Sequence, residues 1–355
     1  MRVGISLLTL AAGDQGGAET YARELTRALR SVGTLDYTAL VPAAAADAGD
    51  GLAAVAVRGL PLARGPARIP AMSLAARSSR AVRRSLRELD VVHYPLTVRV
   101  PRARIPGVVT LHDLQHRDLP ELFPASRRLF RSRAYDRAAE KSAATIVFSE
   151  FVRQRALEFI DVDPRRVHVV PHGVDHALFG PGDEPREAFL LYPARPWTHK
   201  NHPRLLQAFV DLRRVLPELR LVLTGGGLEG LQPIPEGVDV LGLVPREELA
   251  SLYRRASCLV FPSLYEGFGL PLLEAMASGC PIAAASAGAI PEVCGDAAVL
   301  FDPQDVHSIA NGVREALERA DELRALGLAR AAEFTWEESA RRHEAVYRAV
   351  AGART

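Results

Sequence analysis

The chain has 355 residues, of which 48% are hydrophobic and 24% charged, with 44 basic against 42 acidic side chains. This composition is typical of a globular protein, and at roughly 100 to 200 residues per domain the length predicts two domains. A net charge of +2 disfavours a dedicated nucleic-acid binder. The three cysteines, Cys258, Cys280 and Cys294, show neither a disulfide framework nor metal-ligand spacing, which favours a reducing, cytoplasmic compartment.

The basic residues are unevenly distributed in type and in position. Only Lys141 and Lys200 are lysine, and every other cation is arginine. Residues 1–180 carry 26 basic and 18 acidic side chains, whereas residues 181–355 carry 18 and 24. A basic half is consistent with a phosphate-bearing partner or an anionic membrane, and more simply with an ordinary solvated surface.

The chain begins with an apolar run, residues 3–12, that superficially imitates a secretory leader. One arginine precedes the run, a glycine and a serine interrupt it, and an amphipathic pattern follows it directly. These features predict a buried first strand rather than a cleaved leader. No apolar stretch approaches the roughly 20 residues that cross a bilayer.

Short β-branched runs alternate with longer amphipathic patterns in both halves of the chain. This alternation predicts an α/β fold with two Rossmann-like domains facing a central cleft. The predicted strands are residues 3–8, 37–41, 53–57, 91–94, 108–112, 145–148, 167–170, 189–193, 219–224, 238–241, 258–262, 281–285 and 299–301. The predicted helices are residues 19–30, 72–89, 126–142, 203–216, 246–256, 270–278, 306–319 and 336–349.

Turn-forming and charged residues replace the periodic pattern at residues 179–185, which predicts a linker there. The predicted domains are residues 1–180 and 181–335. A final helix within residues 336–355 is free to pack on either domain, including back on the first. Ligands of such sheets bind beyond the carboxyl ends of the strands, so chemistry is expected directly after strands.

The richest candidate site is a predicted strand that opens into a glycine-flanked loop and then a helix. Phe268, Gly269 and Leu270 would present backbone N–H groups at the helix N-terminus, an arrangement that binds phosphates. Glu266 and Glu274 flank this end and would accept hydrogen bonds from sugar or ribose hydroxyls. Either glutamate alone would be a dipole partner or a solvated residue, but the combination favours a binding site.

A second candidate, residues 192–202, also follows a predicted strand. Arg195 and Lys200 would neutralise a diphosphate without a metal. Nearly every basic residue of the chain is arginine, but residue 200 is a lysine, and it directly precedes one of the two asparagines, Asn201. An ammonium is a compact point charge that a guanidinium does not mimic, which favours a functional lysine over a chance surface residue.

Two weaker signals follow strands of the first half. Gly16 and Gly17 would let the backbone approach a ligand from the opposite wall of the cleft, although such turns also simply connect a strand to a helix. His112 ends a predicted strand and would lie at the cleft. A structural histidine is an equally good interpretation of that position.

Two further motifs are discounted. Residues 225–230 match G-x-G-x-x-G, but Pro233 and Pro235 forbid the helix that a dinucleotide fingerprint requires, so Gly225 is assigned to a loop near the ligand. Asp161 and Asp163 precede a proline in a polar connection, which favours a solvated turn over a metal site. The sequence therefore predicts no metal ligands.

Taken together, these residues resemble the family 4 retaining glycosyltransferases of the GT-B fold over essentially the whole chain. The two glutamates separated by seven residues, Glu266 and Glu274, are the most specific element of the resemblance. Where many relatives have asparagine, this chain has His172. The other matching segments are residues 16–19, 112–113, 149–150, 171–175, Arg195 and 200–201.

The resemblance implies a role for each matching residue. Glu266 and the amides of residues 268–270 would hold the donor sugar and diphosphate, and Glu274 the ribose. Arg195 and Lys200 would stabilise the departing phosphate. His112 would touch the sugar near the reacting carbon.

The resemblance also implies a reaction: transfer of a hexose from a nucleotide-diphosphate sugar to a glycan or lipid-linked hydroxyl, with retention, no metal and no other cofactor. Such transfer belongs to polysaccharide biosynthesis and involves no nucleic acid. Residues 197–202 resemble mannosyltransferases that use GDP-mannose. A sugar-nucleotide epimerase and a non-catalytic nucleotide-sugar-binding protein are the alternatives. The arginines of residues 77–87 and 127–137 are consistent with peripheral contact to anionic lipid and equally with solvated helix faces.

Overall fold

The structure, a computed structural model, describes residues 1–10, 16–60 and 68–352. These residues form two compact units, each built on one parallel sheet covered by helices. The first unit comprises Met1–His172 and Trp336–Thr355, and the second comprises Gly173–Thr335. Both units are therefore Rossmann-like α/β domains, as predicted; the central cleft stays a prediction.

The first unit has seven parallel strands in the order β3-β2-β1-β4-β5-β6-β7. Its strands are β1 (Arg2–Ser6), β2 (Asp36–Pro42), β3 (Ala53–Val57), β4 (Val91–Tyr94), β5 (Gly107–Thr110), β6 (Ala144–Val147) and β7 (Val167–Val169). Its first seven helices are α1 (Gly17–Val32), α2 (Arg68–Ser78), α3 (Arg80–Glu88), α4 (Gln115–Asp118), α5 (Ala125–Arg131), α6 (Arg137–Glu140) and α7 (Glu150–Phe159).

The second unit has six parallel strands in the order β10-β9-β8-β11-β12-β13. Its strands are β8 (Glu187–Pro193), β9 (Arg220–Thr224), β10 (Val238–Gly242), β11 (Ala256–Phe261), β12 (Ile282–Ala285) and β13 (Val299–Phe301). Its helices are α8 (His202–Arg213), α9 (Arg246–Arg255), α10 (Leu270–Ala277), α11 (Ile290–Cys294), α12 (Val306–Glu318) and α13 (Ala320–Ala331), and α14 (Trp336–Gly352) completes the first unit.

All thirteen predicted strands are present. The inner strands of both sheets are largely buried and mostly apolar, as is typical of parallel sheets, whereas the edge strands β3 and β10 are mostly half-buried or exposed. The single helix predicted over residues 72–89 is wrong, since Ser79 caps α3 by accepting from the Val82 amide and divides α2 from α3. The helix predicted over residues 126–142 is interrupted by a π-helical turn at Ser132–Asp136. Helices α4, α7, α11 and α13 were not predicted.

The boundary between the units falls after His172, eight residues before the predicted one. Phe179, the first residue of the predicted linker, is 1% exposed and packs in the second unit, where its ring centre lies 6.0 Å from that of Tyr253. Ser278 Oγ also donates to the Phe179 carbonyl at 3.1 Å. The chain therefore enters the second unit before its turn-forming residues begin.

Helix α14 packs against α1, and a buried carboxylate anchors it. Glu344 is 6% exposed and accepts from the Thr34 amide at 2.6 Å, from Thr34 Oγ1 at 2.8 Å and from the Leu35 amide at 3.2 Å. Tyr37 also donates to it. These hydrogen bonds satisfy the carboxylate away from water and fix the helix to the loop after α1.

A buried chain of hydrogen bonds joins α14 to α1 and to the end of the sheet. His343 Nδ1 lies 2.7 Å from the Ser339 carbonyl, which can only accept, so Nδ1 carries the proton. Burial lowers the pKa of His343 to about 4, so its ring is neutral and Nε2 accepts from the Tyr21 hydroxyl at 2.8 Å. The single carbonyl therefore sets the tautomer of His343.

The tautomer of His343 fixes the donor and the acceptor in each of the other hydrogen bonds of this series. Since the Tyr21 proton is already donated, Thr110 Oγ1, 2.8 Å away, donates to the Tyr21 oxygen. Thr110 must then accept from His93 Nε2 at 2.8 Å, and His93 Nδ1 accepts from the Tyr347 hydroxyl at 2.8 Å. Burial holds the pKa of His93 well below its usual value, so this ring is also neutral. Every proton in this series of hydrogen bonds therefore points from Tyr347 towards the Ser339 carbonyl.

The free energy of unfolding should fall as the pH is lowered from about 7 to 4. The unfolded chain protonates its histidines near pH 6.5, whereas the folded chain keeps His343 neutral down to about pH 4. For His343 alone the loss is roughly 3 kcal/mol at pH 4. Urea unfolding at a series of pH values measures it. His343→Gln should flatten the pH dependence and His307→Gln, at an exposed histidine, should not; equal slopes would contradict this origin.

Candidate functional site

The loops after β8 and β11 mark the point where the sheet of the second unit changes direction. These two strands are neighbours, but the chain leaves β8 towards β9 on one side and β11 towards β12 on the other. The diverging loops leave space beyond the carboxyl ends of the strands, where ligands of such sheets bind. The predicted residues Lys200 and Glu266 follow β8 and β11 respectively.

The structure brings Lys200 and Glu266 into direct contact. The Lys200 Nζ lies 2.5 Å from Glu266 Oε1, and the two side chains are 14% and 12% exposed. The ammonium also lies 5.5 Å from the centre of the Phe261 ring. A charge in this half-buried setting keeps most of its strength, because little water screens it. The pair therefore holds a strong cation and a strong acceptor side by side at the strand ends.

The backbone that carries Lys200 is tied down by the next residue. Asn201 has a left-handed φ of 60°, and its buried side-chain amide donates to the Pro262 carbonyl at 3.1 Å and to the Pro303 carbonyl at 2.7 Å. The Tyr192 hydroxyl donates to the Lys200 carbonyl at 2.7 Å. Asparagine tolerates the left-handed region better than other non-glycine residues, so this residue both turns the chain and joins three loops.

The backbone of Glu266 is held from the other side by the loop after β12. Gly288 has a φ of 59°, and a Cβ atom at this residue would lie 2.6 Å from the Glu266 carbonyl oxygen and 2.8 Å from its amide nitrogen. The Ala289 amide donates to that carbonyl at 3.0 Å. Only glycine therefore allows the loop to pack this closely against Glu266.

Helix α10 begins directly after Gly269, whose φ of 97° turns the chain into the helix, and Pro271 occupies its first turn. Phe268 is buried, whereas Leu270 is half-buried. Glu274, on the same helix, is 8% exposed, and its Oε2 accepts from the Tyr253 hydroxyl at 2.9 Å. Burial, reinforced by that carboxylate, holds the pKa of Tyr253 well above its usual value, so the tyrosine is a lasting donor.

Arg195 follows β8 and lies against the loop that follows β9. A Cβ atom at Gly226 would lie 3.6 Å from the Arg195 Cζ, and one at Gly225 would lie 2.8 Å from the Ala194 carbonyl oxygen. Gly225, with a φ of 137°, therefore lets the two loops approach each other. The guanidinium carbon lies 5.9 Å from the ring of Trp197, which is 49% exposed.

The remaining predicted residues belong to the first unit. Gly16 has a φ of 52° and precedes α1, and a Cβ atom at Gly16 or Gly17 would meet no atom within 4 Å. Packing within the described residues therefore does not explain Gly17. His112 lies two residues beyond the end of β5 rather than within it, which corrects the predicted strand 108–112.

His112 is enclosed by aromatic rings and faces a carbonyl. Its ring lies edge-on to Tyr21 at 5.4 Å and to Phe148 at 5.1 Å, and its Nε2 lies 2.7 Å from the Pro95 carbonyl oxygen. That acceptor fixes the proton on Nε2. Burial lowers the pKa of His112, so the ring is neutral near pH 7 and its Nδ1 is an acceptor.

Both discounted motifs are turns in the structure. The 225–230 segment ends in a short 3₁₀ turn, Leu228–Gly230, with no α-helix before β10. Asp163 accepts from the Arg165 amide at 2.9 Å and caps another 3₁₀ turn, Pro164–Arg166. Among the described residues, no group of three or more histidine, cysteine or acidic side chains is arranged to hold a metal ion.

Sequence reasoning missed Gly288 and Tyr253. Gly288 lies three residues beyond the end of a predicted strand, so the strand-end rule that found Lys200 applies to it as well. Tyr253 lies 21 residues before its partner Glu274 on a different helix, and no local pattern marks it.

Residues 15–178 match the family model described as Glycosyltransferase Family 4, and residues 178–330 match the one described as Glycosyl transferases group 1. The chain belongs to the family 4 glycosyltransferases. The glycosyltransferase is 28% identical over 274 residues to the O-antigen chain mannosyltransferase B of Escherichia coli, covering 70% of this chain and 71% of that protein. It is 39% identical over 204 residues to an MMP alpha-(1->4)-mannosyltransferase of Mycolicibacterium hassiacum.

That second match covers 52% of this chain and 49% of the relative, so the glycosyltransferase spans about half the length of this curated relative. Solved structures share its GT-B fold. Sucrose-phosphate synthase from Thermosynechococcus elongatus aligns with a TM-score of 0.79 at 20% identity, over 99% of this chain and 100% of that one. Anabaena HepE in complex with UDP-glucose aligns with a TM-score of 0.75 at 17% identity, over 99% and 100%.

Replacing Gly288 with alanine should displace Glu266 as well as strain the backbone. Gly242→Ala is the matched control, because Gly242 also has a positive φ, of 68°, but a Cβ atom there would meet nothing within 4 Å. Both variants should lose about 1–2 kcal/mol of unfolding free energy through backbone strain. Gly288→Ala should lose roughly 1–3 kcal/mol more through overpacking. Urea unfolding measures both, and equal losses would contradict the close approach.

Proposed function

We propose that the glycosyltransferase moves a hexose, with mannose the favoured sugar, from a nucleotide-diphosphate donor to a hydroxyl of a glycan or lipid-linked acceptor. The proposal includes retention of the anomeric configuration, independence from metal, and a place in polysaccharide biosynthesis. The observation that carries it is the Lys200 ammonium held 2.5 Å from the Glu266 carboxylate at the switch point of the second unit. Few structural roles need a half-buried ion pair at strand ends that point away from the core.

The leaving group of this reaction is a diphosphate, whose growing negative charge must be stabilised. Lys200 supplies a point charge, Arg195 a planar guanidinium, and helix α10 the positive end of its dipole. Fixed charges in a poorly solvated site need no reorganisation as the bond breaks, which makes them effective. When the donor binds, its diphosphate would replace Glu266 as the partner of Lys200.

The two glutamates would accept hydrogen bonds from hydroxyl groups of the donor. Once Lys200 turns to the diphosphate, Glu266 is left as an acceptor beside the N-terminus of α10, where a sugar hydroxyl would bind. Glu274 is oriented by the Tyr253 hydroxyl on its Oε2. This arrangement supports an assignment of Glu274 to the ribose of the nucleotide, four residues into the helix.

We infer a front-face mechanism for the transfer. The bond between the sugar anomeric carbon and the diphosphate oxygen breaks, giving an oxocarbenium-like sugar. The acceptor oxygen bonds to the same face of that carbon, and its proton passes to the departing phosphate oxygen. His112, in the first unit, would contribute its Nδ1 as an acceptor to the sugar.

The donor sugar is inferred from the relatives and from the residues around Lys200. Two of the similar proteins are named mannosyltransferases, and the segment 197–202 resembles those that use GDP-mannose. HepE, whose fold is similar, was crystallised in complex with UDP-glucose. Both nucleotide sugars therefore belong in the test.

The proposed location is the cytoplasm, where nucleotide sugars are made. All three cysteines are unpaired thiols in the core. Burial raises the pKa of Cys280 to about 11 and that of Cys294 to about 12, so these thiols stay protonated and unreactive. No helix among the described residues is long and apolar enough to cross a membrane.

Lys200→Ala should reduce kcat about 10²- to 10³-fold, since it removes one charge that stabilises the leaving group. Lys141→Ala is the matched control, because Lys141 is the other lysine and is exposed. Release of nucleoside diphosphate from GDP-mannose, UDP-glucose and UDP-N-acetylglucosamine measures the activity, with and without glycan acceptors. Interconversion of the donor sugar without release would favour an epimerase. Binding without release or transfer would favour a non-catalytic binding protein.

The front-face mechanism predicts that no covalent sugar-enzyme intermediate forms. Mass spectrometry of the protein quenched during turnover should show only the unmodified chain, and proton NMR of the first product should show the anomeric configuration of the donor. A glycosylated Glu266 peptide would contradict the mechanism. An inverted product would contradict retention.

A further inference from the structure

The first unit contains a cavity whose walls carry four guanidinium groups. It has a volume of about 550 Å³ and lies between helices α2 and α3 and the loop that follows β4. None of Gly16, Gly17 and His112 lines it. The lining residues are Ala76, Arg77, Arg83, Leu86, Pro101, Arg102, Ala103 and Arg104.

The charge around this cavity is of one sign. Residues 58–104 carry eleven arginines and only two acidic side chains. The net positive charge of this segment is therefore larger than that of residues 1–180 as a whole. No carboxylate is among the cavity-lining residues that the structure describes. Like charges gathered around one space repel each other, and a bound anion would relieve that repulsion.

The walls that carry these charges are anchored. The Tyr94 hydroxyl donates to the Pro101 carbonyl at 2.7 Å, and Val100, 1% exposed, is buried among the side chains of α2 and α3. Arg83 Nη1 donates to the Arg77 carbonyl at 3.2 Å, which joins α3 to the end of α2. Both sides of the cavity are therefore held by packing and hydrogen bonds, and they carry the four arginines, all of which are exposed.

Four of the residues that line the cavity are apolar: Ala76, Leu86, Pro101 and Ala103. Ala76 is fully buried, and Leu86 is half-buried. Charges beside such a surface interact more strongly than charges in open water. Guanidinium groups bind phosphate through paired N–H donors. Four of them suit a ligand group with more than one negative charge better than they suit a single carboxylate.

We infer that this cavity is an anion site, distinct from the proposed donor site, that takes the phosphate or diphosphate group of a ligand with an apolar portion next to it. Two sources share this chemistry: the headgroup of an anionic lipid and a soluble phosphate ester. The inference does not depend on the proposed transfer reaction, because binding at the cavity is measured without turnover.

The test uses the full chain carrying Lys200→Ala, so that the proposed donor site does not add a second diphosphate site. Inorganic pyrophosphate is titrated by calorimetry into this parent and into a parent that also carries Arg83→Gln and Arg102→Gln. The matched control instead carries Arg84→Gln and Arg165→Gln. It loses the same two charges at side chains that are 86% and 89% exposed, pair with Glu88 and Asp163, and do not line the cavity.

The cavity variant should bind pyrophosphate at least about tenfold more weakly than the parent, because it lacks two guanidinium groups that would donate charge-assisted hydrogen bonds to the anion. The control variant should bind it as the parent does. Co-sedimentation with vesicles of phosphatidylcholine, alone or mixed with phosphatidylglycerol, separates the two sources. Binding to the mixed vesicles that the cavity variant loses identifies a lipid headgroup. Pyrophosphate binding without vesicle binding identifies a soluble phosphate ester.

Two results would overturn the inference. One is the absence of saturable binding to pyrophosphate and to both kinds of vesicle. The other is an equal weakening in the cavity variant and the control variant, which would assign the binding to general surface charge. Far-ultraviolet circular dichroism of the three proteins establishes that the substitutions leave the fold intact.

Discussion

The second unit depends on the change of direction between β8 and β11. Because the chain leaves two neighbouring parallel strands towards opposite sides, no connection crosses the space beyond their ends. Lys200 and Glu266, carried by the loops after the two strands, meet across that space. Asn201 and Gly288 then hold the backbone of each partner. The ion pair is thus the product of topology, with each member fixed by a residue that adopts a left-handed backbone.

The first unit buries a series of polar side chains that are all uncharged. His93, Tyr21 and His343 are fully buried, and burial would penalise any charge on them. One backbone carbonyl at the end of their hydrogen-bond chain removes the ambiguity of each proton, so all the donors find acceptors. The cost of burying these groups is met by complete pairing, and the same pairing joins α14 to the sheet of the first unit.

The sequence predicts the strands well and the helices less well, for a physical reason. An inner parallel strand such as β12, Ile282–Ala285, is buried at every residue, and its sequence is continuously apolar. Helices depend on capping and on partial burial. The Ser79 cap that divides α2 from α3 is one serine among many in the sequence, and α7 has few buried residues to mark its period.

The candidate site was predictable as far as local sequence reaches. Lys200 and Glu266 each follow a strand, and their meeting follows from the strand order. The Tyr253 hydrogen bond to Glu274 joins two helices through the tertiary packing, so no spacing along the chain reveals it. The early entry of Phe179 into the second unit was hidden for the same reason, because turn-forming residues follow it directly.

Because the chain has only two lysines, few of its side chains react with amine-selective reagents. An amine-selective reagent meets only two lysine side chains: Lys141, exposed at the end of α6, and Lys200, 14% exposed against Glu266. The arginines that dominate the surface do not react with it, since a guanidinium stays protonated. One lysine is thus an internal standard for the other, and the acylation of a single molecule reports directly on how closely Lys200 is held.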